Sequence, residues 1–280
     1  MLSALCTGYR KRPVAVALLG VAVLAWPLRA EDSSRTPLEL VKAMVAREDL
    51  EAQHERYAFV ANERSDRTGG HVWTERVVET SQGRVRMLLA VDGKEISAEQ
   101  TQKERDRLSA IVADPAAFVR KEQAEKEDEA HARQMLDMLG RAFLFDNVRL
   151  ADGVWRMDFH PDPGFSPSGI QERVLCGMSG WVAIDAQQLR LLHVEGKLPQ
   201  DVSIGFGILA TVKAGSHFGS DRQDEGGHWR TVHVVTDIRG KAVLFKSVAK
   251  NSEITRSEFR YLDTGTTLEQ AVALVEGGQE

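Results

Sequence analysis

Residues 143–160, Phe143-Leu144-Phe145-Asp146-Asn147-Val148-Arg149-Leu150-Ala151-Asp152-Gly153-Val154-Trp155-Arg156-Met157-Asp158-Phe159-His160, decide the fold class. Asp152-Gly153 is a two-residue hairpin signal, because such turns need positive φ at both central positions. On either side, Phe143–Leu150 and Val154–His160 read as strands, and the two-residue period puts Trp155, Met157 and Phe159 on one face. Most of the chain beyond His160 has the same character. Pro161–Gly169 is a loop rich in Pro, Gly and Ser. Arg173–Cys176, Trp181–Asp185, Leu189–Leu198, Val202–Lys213, His217–Gln223, Trp229–Thr236, Val243–Ala249 and Ile254–Leu262 are predicted strands. Thr267 is predicted to cap a last short helix through Val275.

Working backward from Phe143, the chain begins with helix. Thr36 can cap, Pro37 suits the first helical position and Glu39 completes a capping box. Leu38, Val41, Val45 and Ala52 mark one face, with an end near His54. Three strands come next. Tyr57, Phe59 and Ala61 alternate with Ala58, Val60 and Asn62, Gly69-Gly70 turns, and Trp73, Glu75 and Val77 alternate with Val72, Thr74 and Arg76. After Gln82-Gly83, Val85, Met87, Leu89 and Val91 share a face, and Asp92-Gly93 is another hairpin signal. Ser97 and Gln100 form a second capping box for a helix to about Ala113. Asp114-Pro115 restarts helix and Gly140 is expected to end it. Lys121–Arg133 contains no large apolar residue and pairs Glu122 with Lys126 and Glu129 with Arg133 at i,i+4, so it reads as a solvated helical face or arm.

The fold class is therefore α+β. About ten or eleven antiparallel strands are expected in one strongly curved sheet, an incomplete barrel, with helices covering the concave face. A twisted sheet of that size must curl or close. No repeat of fixed period and no low-complexity linker interrupts residues 31–280, which read as a single domain with a helical insert at about 97–140.

The 280 residues, 42% apolar and 28% charged, exclude a disordered or collagen-like chain and a multi-span membrane protein. Residues 1–30 have a different composition. Arg10-Lys11-Arg12 precedes the apolar run Val14–Leu24, and Leu28-Arg29-Ala30 leads into Glu31-Asp32. This is the pattern of a cleavable secretory signal, with the cut expected after Ala30 and the mature chain in the periplasm or otherwise exported. Without these residues, which carry four basic and no acidic side chains, 32 basic face 41 acidic residues, a net charge of −9. So acidic a chain is a poor partner for nucleic acid. Cys6 leaves with the signal, so Cys176 alone remains, and it reads as a buried structural thiol within a strand.

Signals for catalysis are sparse. No His-Glu-x-x-His, Walker loop or dinucleotide glycine triplet occurs. Gly177-Met178-Ser179-Gly180 departs from a nucleophile elbow, because Trp181 stands where glycine is needed, and it reads as a hairpin turn. His228 and His233 fall on opposite strand faces. His217 and His228 flank a loop and could approach each other, but no cysteine or carboxylate set joins them, so no metal site and no cofactor are expected. His160, Asp158 and Asp162 form a polar cluster without an identifiable partner. The aromatic and apolar residues of the strands stand out more. Phe59, Trp73, Met87, Leu89, Trp155, Met157, Phe159, Trp181, Ile184 and Phe206 are the candidate lining of a ligand cavity.

The order of exported signal, N-terminal helix, three strands, helical insert and long antiparallel meander resembles the lipoprotein carrier superfamily of LolA, LolB and RseB. Gly180-Trp181-Val182-Ala183-Ile184-Asp185, followed by Leu189-Arg190-Leu191-Leu192-His193-Val194-Glu195-Gly196, is similar to that family's hairpin, in which a strand ending in Ile/Val-Asp returns through a polar turn. Gly226-Gly227-His228-Trp229 resembles the glycine-tryptophan start of a later strand. The resemblance implies a half-barrel with a helical lid over an apolar cavity and non-enzymatic binding of lipid or lipoprotein acyl chains; separately, the mature chain is expected to be a monomer. The mature chain is longer than a typical carrier and its charged insert has no counterpart there. No lipobox is present, which sets it apart from the membrane-anchored acceptor type. Two other expectations stand beside this one: an RseB-like envelope-stress sensor that recognises an envelope protein partner, and a secreted hydrolase using His160, Asp162 or His228.

Overall fold

Capping chemistry fixes the helix starts. The computed structural model describes residues 35–52, 55–204, 210–242 and 250–277. The signal segment, Phe206 and the predicted strand Val243–Ala249 lie outside the described residues. Helix α1 spans Pro37–Ala52, and its capping box forms as the sequence implies, with Thr36 N–H donating to the Glu39 carboxylate at 2.7 Å. Ser97 and Thr267 cap α2 (Ala98–Ala113) and α5 (Leu268–Val275) through reciprocal boxes with Gln100 and Gln270. Asp114 caps α3 (Pro115–Ala142), which passes through Gly140 instead of stopping there. A Cβ at Gly140 would come 3.2 Å from Lys42 Cγ, so the missing side chain lets α1 pack close to α3.

The strands are β1 (Arg56–Ser65), β2 (Val72–Glu79), β3 (Arg84–Val91), β4 (Lys94–Glu95), β5 (Phe143–Ala151), β6 (Val154–Pro161), β7 (Ser179–Asp185), β8 (Leu191–Lys197), β9 (Val202–Ile204), β10 (Ala210–Val212), β11 (His217–Glu225), β12 (His228–Ile238), β13 (Gly240–Ala242) and β14 (Lys250–Leu262). Eleven of them form one antiparallel sheet in the order β4-β3-β2-β1-β14-β12-β11-β8-β7-β6-β5. The sheet is open, with β4 and β5 at its edges. The hairpin signals hold: Asp92-Gly93 and Asp152-Gly153 both have positive φ in their turns.

Two segments differ from the sequence reading. Ile170–Leu175 is a short helix, α4, capped at its C-terminus by Cys176, where the sequence predicts a strand over Arg173–Cys176. Gly177–Gly180 therefore joins a helix to a strand and is not a hairpin turn. Within Val202–Lys213 the described ends are two short strands, β9 and β10, which pair with each other, and β10 also pairs with β13, forming a separate three-stranded sheet. The short apolar run Val174-Leu175-Cys176 cannot by itself distinguish strand from buried helix.

Alternation assigns the two faces of the large sheet. Phe159, Met157, Val182, Val194 and Phe218 share one face by register, and across β12, β14 and β1 it continues through Val234, Ile254 and Ala61. On the β5–β8 half this face packs beneath α1 (Leu40, Val41, Met44, Val45), the end of α3 (Met138, Leu139, Ala142) and Leu175 of α4. Leu38 is exposed, so the buried stripe of α1 runs through Leu40 and Met44 rather than Leu38. The fully buried Met157 and Phe159 side chains each contribute about 1.5–3 kcal/mol of transfer free energy. The helices do not all cover one face. Helices α2 and α5, with Phe118 of α3, pack against Ala58, Val78, Val85 and Met87 on the opposite face of β1–β3.

Candidate functional site: a cavity with an apolar wall and buried arginines

A cavity of about 1050 Å³ lies along the first face, between the sheet and α3. Phe59, Phe159, Val194, Phe218 and Ile254 come from strands, and Met135, Leu136 and Leu139 from the last turns of α3. Glu48 of α1 and Arg190, Arg222 and Arg230 from the β7–β8 turn, β11 and β12 add charge to this wall.

These charges differ in how they are satisfied. The Arg190 Nε donates to Glu48 Oε1 at 2.9 Å, and the Leu191 N–H donates to the same oxygen at 3.1 Å. Arg222 also pairs with the Glu48 carboxylate. Glu48 thus bridges two guanidinium groups with a single negative charge in a buried setting, and Arg222 Nε is left without a hydrogen-bond partner. Burial pulls the Arg222 guanidinium down to about 10, so it stays cationic at neutral pH. Arg230 is 5% exposed, lies 3.7 Å over the Tyr57 ring and 5.2 Å from that of Phe259, and its Nε and Nη1 have no hydrogen-bond partner.

At the far edge, Arg84 and Arg86 of β3 tie the sheet to α3. The Arg84 N–H donates to Glu122 Oε2 at 3.0 Å, Arg86 Nη1 lies 3.5 Å from that oxygen, and Arg86 Nη2 pairs with Glu125. The charged stretch of α3 is therefore partly a sheet contact. Glu122, expected to pair with Lys126, turns to β3 instead.

Of the ten predicted lining residues, Phe59 and Phe159 line the cavity. Met157 and Ile184 are on the same face but fully buried beneath the helices, and Trp155 packs against that cluster. Met87 and Leu89 belong to the opposite face, against α2 and α5. Trp73 lies under Arg67, 5.1 Å from ring centroid to Cζ. Trp181 is on the opposite face of β7, stacked on His193 at 4.0 Å with Arg156 at 4.3 Å. Phe206 lies outside the described residues.

The polar candidates have separate partners. His160 Nε2 lies 3.4 Å from Asp146, Asp162 accepts from the Gly164 N–H at 2.8 Å, and His228 Nδ1 lies 2.8 Å from Glu55. His160 on β6 and His228 on β12 are separated by β7, β8 and β11, about four strand spacings of ~4.8 Å. His217 and His228 sit at opposite ends of the β11–β12 hairpin, paired with Asp237 and Glu225. Among the described residues, no group of His, Cys, Asp or Glu has metal-binding geometry. Cys176 is half-buried, and burial, with Glu172 adding to it, pushes its thiol up, away from nucleophilic use. On the opposite sheet face His193 and His233 share Asp221, at 2.6 and 3.1 Å, and Glu253 lies 3.5 Å from His233.

The sequence reading missed Glu48 and the arginines. Leu40, Met44 and Glu48 recur at i, i+4 and i+8, so an acid on an apolar helical stripe was visible. Arg190 between Leu189 and Leu191 is the matching signal. Arg230 was less legible, because the positions that share its parity, His228, Val232 and Val234, mix polar and apolar residues and mark no clear inward stripe.

No protein-family model, curated protein or solved structure matches this chain. Among the described residues, no helix is long and apolar enough to cross a membrane.

Proposed function

We propose that the protein is an exported, non-enzymatic carrier that holds the acyl chains of a lipid or lipoprotein in the cavity between sheet and α3. In this reading the open sheet curls into an incomplete barrel with the cavity on its concave side, as in the LolA, LolB and RseB superfamily that the chain resembles. The observation that supports it best is the cavity itself. At about 1050 Å³, and with Phe59, Phe159, Leu139 and Phe218 in its wall, it has the size and apolar character of a ligand pocket. Moving methylene groups from water to such a wall is worth about 0.8 kcal/mol each, so about ten of them supply ~8 kcal/mol before the cost of ordering the chain. Native mass spectrometry of protein purified from its own envelope tests the reading. A bound mass in the lipid range is expected, and recovery of ligand-free protein alone contradicts it.

The interaction-module reading finds support in β5. Its outer edge has no strand partner among the described residues, and Leu144, Val148 and Leu150 are 45%, 36% and 52% exposed. An unpaired edge with apolar side chains is suited to strand addition by a partner. Photocrosslinking from position 150 in the intact envelope is expected to capture one defined protein under this reading, and absence of any adduct removes its basis.

A further inference from the structure

We propose that Arg230 is the head-group site of this cavity, pairing with the carboxylate or phosphate of an anionic amphiphile whose chain lies along the apolar wall. The inference rests on the carrier reading and adds the chemical class of the ligand.

Three observations converge. The first is an orphaned charge: Arg230 is 95% buried, lines the cavity, and leaves Nε and Nη1 without a hydrogen-bond partner. A desolvated cation with open donors is unfavourable until a counter-charge reaches it. The second is that three of the four nearby carboxylates are otherwise engaged. Glu55 receives the Tyr57 hydroxyl and lies 2.8 Å from His228 Nδ1. Glu79 accepts from Arg84 Nε at 3.3 Å, and Asp224 accepts from the Gly227 N–H at 2.7 Å. Glu55, Glu79, Asp224 and Glu225 act on Arg230 only through space, partly offsetting the lowering caused by burial. Glu48, the buried acid of the same cavity, is occupied by Arg190 and Arg222.

The third is preorganisation. The guanidinium lies over Tyr57, with Phe259 also within reach, so ring stacking holds it in place without using its hydrogen-bond donors. A planar, fixed guanidinium matches a carboxylate or phosphate, which lysine does not. Phe59 and Phe259 pack in one cluster beside Tyr57, so the charge borders the apolar wall where an amphiphile changes from head to tail.

The test is titration calorimetry below the critical micelle concentration. Dodecanoate, uncharged monolauroylglycerol and inorganic phosphate are compared on the wild-type protein, Arg230→Gln and Arg230→Lys. The wild type is expected to bind dodecanoate about tenfold more tightly than monolauroylglycerol. Arg230→Gln is expected to lose that preference while keeping its affinity for the neutral amphiphile, which also reports a folded cavity. Arg230→Lys is expected to restore part of it. Equal dodecanoate preference in wild type and Arg230→Gln, or no preference in the wild type while monolauroylglycerol binds, overturns the assignment and leaves the carrier reading standing. If neither amphiphile binds but phosphate binds in an Arg230-dependent way, the carrier reading fails and the anion site belongs to a free anion. If none of the three probes binds, both fail.

Discussion

Glu48 and Arg190, 142 residues apart in sequence, meet in a buried ion pair at 2.9 Å, with side chains 4% and 2% exposed. The pair joins α1 to the start of β8 and also receives Arg222, so one carboxylate is shared by two cations beside the cavity. Replacing Glu48 by alanine leaves both guanidinium groups without that partner. The expected cost is about 3–5 kcal/mol, read from the urea midpoint. In a double-mutant cycle with Arg190→Met, the two losses are expected to be strongly sub-additive. Simple additivity would show that the pair carries no coupling.

Gly180 and Gly196 face each other across β7 and β8, and neither position has room for a side chain. A Cβ on Gly180 would collide with the Glu195 carbonyl, and one on Gly196 would come 2.5 Å from the Phe218 ring in the cavity wall. The obstacle at Gly180 is backbone inside the sheet, whereas at Gly196 it is a side chain that can turn. Gly180→Ala is therefore expected to cost about 3 kcal/mol and Gly196→Ala about 1 kcal/mol, both checked by thermal unfolding.

The latch between β3 and α3 is expected to control how firmly the helix covers the cavity. Arg86→Ala removes the contacts to Glu122 and Glu125 while leaving the Arg84 N–H bond to Glu122 in place. Hydrogen exchange over residues 119–135 is expected to accelerate about tenfold, equivalent to ~1.4 kcal/mol of local opening, with β6–β8 unchanged. Uniform acceleration across the chain would instead indicate global destabilisation.

Much of this architecture was legible because local chemistry and period agree. The capping boxes of α1 and α2, the Thr267 cap, the Asp-Gly turns and the two-residue alternation of β1–β3 and β6 needed no tertiary information. The errors have specific physical sources. Ile170–Leu175 is too short for its period to separate helix from strand. Trp181 looked like a cavity residue because it is large and apolar, yet alternation from Val182 and Ile184, which face the core, puts it on the other side. Gly140 looked like a helix stop, and only the approach of α1 explains it inside α3. The Glu48 cluster was hidden because its partners, Arg190 and Arg222, lie more than 100 positions away in sequence.

On the sheet face opposite the cavity, burial alone would raise the Asp221 carboxyl. Hydrogen bonds from His193 and His233 outweigh it and hold the group below its ordinary value. A carboxyl depressed in the folded state stabilises above its unfolded value of about 3.9, and this contribution disappears as pH falls through the folded value. Asp221 is 41% exposed, so solvent screens much of the effect. Denaturant midpoints measured from about pH 5 to pH 2 are expected to fall less steeply for Asp221→Asn than for the wild type. An identical acid limb would show that the two histidines confer no net preference for the ionised form.

The most direct measurement for the carrier account is uptake of a fluorescent fatty acid by the wild-type protein and by Val194→Trp, which places an indole in the cavity wall. The account predicts saturable binding of one probe per wild-type chain and its loss in the variant, with circular dichroism unchanged. Absence of uptake by the wild type, or equal uptake by a folded variant, would contradict it.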